Sequence, residues 1–293
     1  MIRYKESFSR ILFRIVNALL VIIISIACFY PFWNTIMISF SRGSAVGSGL
    51  VTFYPIGFQL DAYENILSNT KFFTAFWITI KRTVLGLIIG MSMTVLAGYP
   101  LSMPKERFPH RDFFMWMYVF TMLFGGGMIP TYLVVKGTGL LNTIWALVLP
   151  GAVSAYNIIL LQNYFKGLPK EIYDSARVDG AGEWRILLQM YLPLAKPVLA
   201  TLAVFNMVGS WNAYFDGMLY MHRAEKYPMQ TYLRTVMTEI DMDKVTDIRQ
   251  IQNLTEENAK AAQIVVALIP ILCVYPFLQK YFTSGIVMGS VKG

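Results

Sequence analysis

Residues 166–197 read KGLPKEIYDSARVDGAGEWRILLQMYLPLAKP. This polar, helix-forming stretch lies between two long apolar runs. Pro169 suits the first turn of a helix, and Asp179-Gly180 suits a helix end, because glycine tolerates the left-handed conformation found there. We therefore predict a short helix over 170–178 and expect Gly180 to have a positive φ. Two ion pairs are expected to support this helix, Lys170–Asp174 and Asp174–Arg177.

A second short helix is predicted from about residue 183 to 191, stopping before Pro193 because proline lacks a backbone donor. Its apolar side chains recur at the helical spacing i, i+3, i+4 and i+7. They are Trp184, Leu187, Leu188 and Tyr191. A simple connection between two apolar runs would not need such a pair of short helices.

The composition around this stretch is that of a membrane protein. Of the 293 residues, 56% are hydrophobic and only 14% are charged, against about 25% charged in average soluble domains. A spanning helix needs about 20 apolar residues. We predict an all-α, polytopic protein with six transmembrane helices in a single domain, 1–293. The predicted spans are Leu12–Phe32, Phe73–Gly98, Phe113–Val135, Leu141–Phe165, Pro197–Tyr220 and Ala261–Phe282.

The net charge of +8 is explained better by membrane topology than by nucleic-acid binding. Lys and Arg residues lie mainly in the segments between apolar runs, and such segments favour the cytoplasmic side. We predict both termini and the segment 166–196 in the cytoplasm, and the long loop 221–260 outside, because long loops translocate largely regardless of charge. The first apolar run is too long for a cleavable signal peptide. The expected location is the bacterial cytoplasmic membrane, with lipid around a multi-pass chain.

The spacing within 166–197 resembles the cytoplasmic coupling loop of ATP-binding-cassette importer permeases. The pattern of that family is Glu-Ala-Ala, three residues, Gly, nine residues, Ile, any residue, Leu-Pro. This chain has Asp174-Ser175-Ala176, then Gly180, then Met190 and Leu192-Pro193 at the same spacing. The three departures, Asp for Glu, Ser for Ala and Met for Ile, are conservative.

Other stretches resemble the maltose-type carbohydrate branch of that family, and most of all its permeases for complex oligosaccharides. They are Gly125 to Pro130, Leu140 to Thr143, Trp211-Asn212, and the C-terminal stretches 279–285 and 289–293. The resemblance implies the type I importer permease architecture. It also implies that residues of the loop couple the chain to an ATPase. These are Glu171, Asp174, Ser175, Ala176, Asp179, Gly180, Ala181, Trp184, Leu192 and Pro193.

The resemblance further implies the partners: two nucleotide-binding ATPase subunits, a second homologous permease subunit and an external solute-binding protein. The sequence contains no G-x-x-x-x-G-K-[ST] stretch, so we expect ATP and Mg²⁺ to bind the partner ATPase and expect no cofactor on this chain. The chain is therefore expected to be a transporter subunit and not an enzyme. No metal site is predicted, because the two histidines are far apart in sequence.

Polar residues inside the apolar runs are candidates for the substrate path. They are Lys81, Arg82, Asn206, Trp211 and Asn212. Lys81 and Arg82 either reach the outer interface of the membrane or attract an anionic sugar along a water-filled path. The polar residues of the fifth span either pack against neighbouring helices or line the path. The resemblance implies an oligosaccharide or modified sugar as substrate, and Lys81 and Arg82 favour an anionic one.

An alternative function is that of a secondary transporter driven by an ion gradient. Such proteins contain inverted repeats and broken helices in corresponding halves, and the sequence suggests neither. An intramembrane enzyme or an assembly factor is a weaker alternative. The glycines 125–127 mark either the outer end of the third span or a hinge.

Overall fold

The computed structural model describes residues 8–68, 70–241, 257–273 and 276, and throughout these ranges the regular structure is helical. The all-α prediction is confirmed. The helices are α1 (Phe8–Ser39), α2 (Gly43–Gly47), α3 (Asp61–Ser68), α4 (Thr70–Ser102), α5 (Arg111–Leu123), α6 (Met128–Gly137), α7 (Ile144–Val148), α8 (Ala155–Lys166), α9 (Lys170–Val178), α10 (Glu183–Leu194), α11 (Lys196–Asn212), α12 (Phe215–Tyr220), α13 (Met229–Asp241) and α14 (257–273). A 3₁₀ turn covers Ala224–Lys226.

The chain divides into two compact units. The first contains the chain up to Thr70 and residues 236–268, and the second contains residues 71–235 and the C-terminal remainder. In the first unit, α1 is an apolar helix with none of its most apolar window buried, as expected for a lipid-facing span. The loop after α1 folds back on it, where Trp33 Nε1 donates to the carbonyl of Phe53 at 2.8 Å.

The second unit is organised around α4. Gly86 and Gly90 lie one helical turn apart on its buried side, and such small residues let two membrane helices approach closely. A Cβ atom at Gly90 would be 2.5 Å from Asn206 Nδ2, and one at Gly86 would be 3.2 Å from Ser210 Oγ. Both glycines therefore allow α11 to pack against α4.

The first two predicted spans correspond to continuous helices, α1 and α4, but the next three are broken. The third divides into α5 and α6, which meet at 115° across the glycine-rich stretch 124–127. The fourth divides into α7 and α8 around Pro150 and Gly151, and the fifth into α11 and α12 at residues 213–214. Glycine and proline weaken the helical hydrogen bonds that an unbroken span needs.

The count of six spans stays a prediction. Among the described residues, two helices are long and apolar enough to cross a membrane, or up to four if each bent helix pair forms one span. The sixth predicted span begins within α14, and its later part lies outside the described residues. The assignment of the whole chain to a single domain also stays a prediction.

Candidate coupling segment and transport cavity

The segment after α8 forms the predicted pair of short helices. Helix α9 covers Lys170–Val178, as the sequence predicts. Gly180 has a φ of 75°, which confirms the expected left-handed turn. The backbone N–H of Ala181 then donates to the carbonyl of Ala176 at 2.9 Å, so the turn is closed by hydrogen bonds on the helix itself.

The prediction that Asp174 forms ion pairs within α9 is wrong. Asp174 pairs with Arg107, whose Nη2 lies 3.1 Å from Asp174 Oδ1. The same guanidinium lies 3.7 Å from the centre of the Tyr173 ring. Arg107 comes from the connection between α4 and α5, so a tertiary contact replaces the local pair. A planar guanidinium can bind a carboxylate and stack on a ring at once.

Glu183 joins the two short helices to α4. Its Oε1 accepts a hydrogen bond from the Tyr173 hydroxyl at 2.5 Å, and its Oε2 accepts one from the Tyr99 hydroxyl at 2.8 Å. Arg177 Nη1 lies 3.9 Å from Glu183 Oε1. Burial, followed by the hydrogen bond to Glu183, raises the pKa of Tyr173 above its ordinary value, so Tyr173 remains the donor at neutral pH.

Helix α10 continues past Pro193, contrary to the predicted stop. Its middle, Leu187–Tyr191, is π-helical, and the N–H of Leu192 donates to the carbonyl of Leu187. The wider turn lets the helix continue to Leu194 although Pro193 has no N–H to donate. The bend comes at Ala195, where α10 and α11 meet at 82°.

The predicted apolar stripe on α10 is divided between two environments. Leu187 and Tyr191 are buried in a core with Tyr99 of α4 and Phe165 of α8. Trp184 is 66% exposed, and Leu188 is exposed as well. One side of α10 is therefore fixed to the membrane helices, while the other is largely exposed.

The predicted coupling residues separate in the same way. Ala176 and Ala181 are buried, and Leu192 is half-buried. The remaining seven are exposed: Glu171, Asp174, Ser175, Asp179, Gly180, Trp184 and Pro193. Small buried residues thus hold the segment in place, and charged, small and aromatic residues form its outer surface.

A cavity of about 510 Å³ lies within the second unit, in the size range of small-ligand sites. Helices α4, α7, α8, α11 and α12 contribute to its wall. The polar side chains that line it are Arg82, Ser154, Asn157, Asn206, Ser210, Asp216 and Tyr220. Apolar side chains line it too, among them Phe205.

An ion pair between Arg82 and Asp216 forms part of this wall. Arg82 Nη1 lies 3.2 Å from Asp216 Oδ1 and 3.1 Å from the carbonyl oxygen of Ala213, and Nη2 contacts Asp216 Oδ2. The side chain of Arg82 is 5% exposed and that of Asp216 is 26% exposed. A buried arginine requires such a partner, and here the pair connects α4 to the break between α11 and α12.

Only two of the five predicted path residues line the cavity, Arg82 and Asn206. Lys81 and Asn212 are exposed elsewhere. Trp211 is buried and packs edge-on against Phe76, with ring centres 6.1 Å apart.

The sequence did not lead us to Ser154, Asn157, Ser210 or Tyr220 as cavity residues, nor to Asp216 as the partner of Arg82. One signal could have identified that partner. An acidic and a basic residue inside apolar runs are costly unless they meet.

The comparison with known proteins identifies the family. Residues 86–287 match the model of the binding-protein-dependent transport system inner membrane component. The chain belongs to this family. It is therefore an inner membrane component of a transport system, a permease of the ATP-binding-cassette class, and not an enzyme.

Two Bacillus subtilis (strain 168) proteins are similar to the permease over nearly their whole length. Protein LplC is 42% identical, covering 90% of this chain and 89% of LplC. The polygalacturonan/rhamnogalacturonan transport system permease protein YtcP is 39% identical, covering 92% of this chain and 94% of YtcP. One solved structure matches with a TM-score of 0.87 and 35% identity, covering 96% of this chain and 100% of the matched chain. It is a bacterial ABC transporter involved in the import of the acidic polysaccharide alginate.

The family assignment also decides against the secondary transporter. Three predicted spans are interrupted in the structure, although the sequence suggested no broken helices in corresponding halves. Broken helices therefore cannot distinguish the two classes of transporter here. The family match makes the distinction instead.

Proposed function

We propose that this permease is one membrane subunit of an ATP-driven importer for an acidic oligosaccharide, such as one containing uronic acids. The observation that carries the proposal is similarity along nearly the full chain to permeases whose names specify acidic polysaccharides. These are YtcP, named for polygalacturonan and rhamnogalacturonan, and the alginate transporter.

The structure does not support the argument for an acidic substrate that was based on Lys81 and Arg82. One of the two interpretations of Lys81 and Arg82 was that they attract an anionic sugar. Asp216 compensates the charge of Arg82, and Lys81 does not line the cavity. The proposed substrate class therefore rests on the relatives and not on these two cations.

The proposed assembly contains two permeases, two ATPase subunits and an external solute-binding protein. The segment 166–196 would contact an ATPase through its exposed residues, with ATP and Mg²⁺ bound by that partner. This requires 166–196 and both termini to be cytoplasmic and 221–260 to be external, as the distribution of basic residues favours. The second permease would be a related, nonidentical chain.

The test is purification of the complex through a tag on this chain, followed by reconstitution in vesicles with a candidate binding protein. Two probes would be compared, trigalacturonate and its carboxyl-reduced neutral counterpart. We expect ATPase subunits to copurify and trigalacturonate to stimulate ATP hydrolysis more than the neutral probe. Stimulation by neutral sugars alone would contradict the substrate class, and purification without any ATPase would contradict the assembly.

A further inference from the structure

We propose that the cavity beside Arg82 is a sugar subsite that binds hydroxyl groups, with Asp216 as the binding residue and Arg82 as its positioning residue. This inference rests on the proposed function, because it takes its ligand class from there. It assigns a binding role to this subunit itself. The site would bind the hydroxyl groups of the sugar ring and would not bind its acidic group.

The hydrogen-bond geometry of Asp216 leaves it able to accept from a ligand. Its Oδ1 accepts from Arg82 Nη1 and from the backbone N–H of Gly217 at 2.9 Å. Its Oδ2 contacts Arg82 Nη2. A carboxylate has about four acceptor sites, so the two contacts at Oδ1 and one at Oδ2 leave Oδ2 with capacity for one more donor.

The exposed fractions of the Asp216 and Arg82 side chains determine which of the two a ligand contacts first. The side chain of Asp216 is about a quarter exposed, whereas that of Arg82 is almost fully buried. A ligand in the cavity therefore meets carboxylate oxygens before it meets the guanidinium. Such a surface attracts hydroxyl donors and repels a substrate carboxylate. Arg82 holds the Asp216 carboxylate in position through its contacts with both oxygens.

A second acceptor lies on the same wall. Asn206 lines the cavity, and its buried Oδ1 has no hydrogen-bond partner among the described residues. The side-chain amide of an asparagine can donate to sugar hydroxyls as well as accept from them. Phe205, which is half exposed, also lines the cavity and supplies an apolar face of the kind that packs against a sugar ring.

The test compares transport and ATP hydrolysis in reconstituted vesicles for the double variant Arg82→Met/Asp216→Asn. Removing both charges avoids the buried, unpaired charge that a single substitution leaves, so assembly should survive. Sugar transported per ATP should fall about tenfold or more. The fall should occur for both trigalacturonate and its carboxyl-reduced counterpart, because both carry the ring hydroxyls, and it should be no larger for trigalacturonate.

The matched control is Lys105→Gln/Asp112→Asn, which removes an exposed pair 2.6 Å apart away from the cavity and should change neither quantity. Unchanged sugar per ATP in the Arg82/Asp216 variant would overturn the subsite. A loss confined to trigalacturonate would show that Arg82 reads the carboxylate instead. A joint loss of assembly and ATPase activity would show that the pair is only structural. A parental complex that moves neither probe would remove the proposed substrate class, and this inference with it.

Discussion

The hydroxyl of Tyr173 donates a hydrogen bond to Glu183 Oε1 at 2.5 Å, across the turn that separates α9 from α10. Tyr99 of α4 donates to the other oxygen of the same carboxylate at 2.8 Å. One side chain therefore connects both short helices to a membrane helix. Such a connection lets a displacement of the exposed segment move the membrane helices as a rigid body.

Glu183→Ala should weaken coupling of ATP hydrolysis to transport. Hydrogen bonds to a charged group contribute roughly 1.5–3 kcal/mol when buried. Because the Glu183 side chain is half exposed, we expect about 1 kcal/mol, or about fivefold less sugar transported per ATP. Glu183→Gln can still accept from one tyrosine and should lie between the parent and Glu183→Ala. Equal transport by all three would show that the bridge has no role in coupling.

Substitutions at Gly180 should impair coupling least for Asn, more for Ala and most for Val. A Cβ atom there would meet nothing within 4 Å, so the cost comes from the positive φ alone. That cost is at least about 1 kcal/mol for a β-branched residue and is smaller for Asn. Gly180→Val should nearly abolish substrate-stimulated ATPase activity and transport, while the amount of membrane-inserted protein stays unchanged.

Asp174→Ala should weaken coupling without abolishing it. The substitution removes the exposed pair with Arg107, and exposed pairs contribute only about 0–1 kcal/mol. Without the Asp174 carboxylate, the Arg107 guanidinium keeps its contact with the Tyr173 ring but loses the ion pair that also holds it. A Gly180→Val permease that transports at the parental rate, alongside an inactive Asp174→Ala, would reverse the expected order and contradict the rigid turn.

Gly217→Ala should destabilise the permease. A Cβ atom there would collide with the side chain of Thr231 and would lie 2.9 Å from Pro228 Cδ. Overpacking of this kind costs about 1–3 kcal/mol. Gly137→Ala is the matched control, because its Cβ atom would meet nothing within 4 Å. Thermal unfolding in detergent should distinguish them, and equal midpoints would contradict the packing described here.

Cysteine labelling should place 221–260 outside and 99–112 inside. Glu225 and Glu106 are exposed positions in these segments and suit replacement by cysteine. The native Cys28 and Cys273 are free and exposed, so both should first be replaced by serine. A membrane-impermeant reagent should label position 225 in intact cells and position 106 only after lysis. The reverse pattern would invert the predicted topology.

The sequence predicted the parts of the coupling segment that depend on local chemistry. The bounds of α9 and the positive φ of Gly180 follow from Pro169, Asp179 and glycine itself. It misplaced the partner of Asp174, because Arg107 is 67 positions away and nothing local indicates that contact. The end of α10 was missed as well, and Leu187 and Tyr191 of its π-helical turn pack against α4 and α8, which are distant in sequence.

The residues that line the cavity could likewise be predicted only in part from the sequence. Arg82 and Asn206 were found because polar residues in apolar runs are conspicuous. Their juxtaposition depends on Gly86 and Gly90, which bring α4 against α11, and on a helix break that places Asp216 beside Arg82. Hydropathy does not report such breaks, because α11 and α12 together form one apolar run.

The most direct test of the proposed function is sugar uptake into vesicles that contain the complex, with ATP supplied and all ion gradients collapsed by ionophores. We predict that trigalacturonate accumulates when ATP and a loaded binding protein are present, and that removal of ATP stops uptake. Accumulation driven by an imposed ion gradient in the absence of ATP would contradict this prediction.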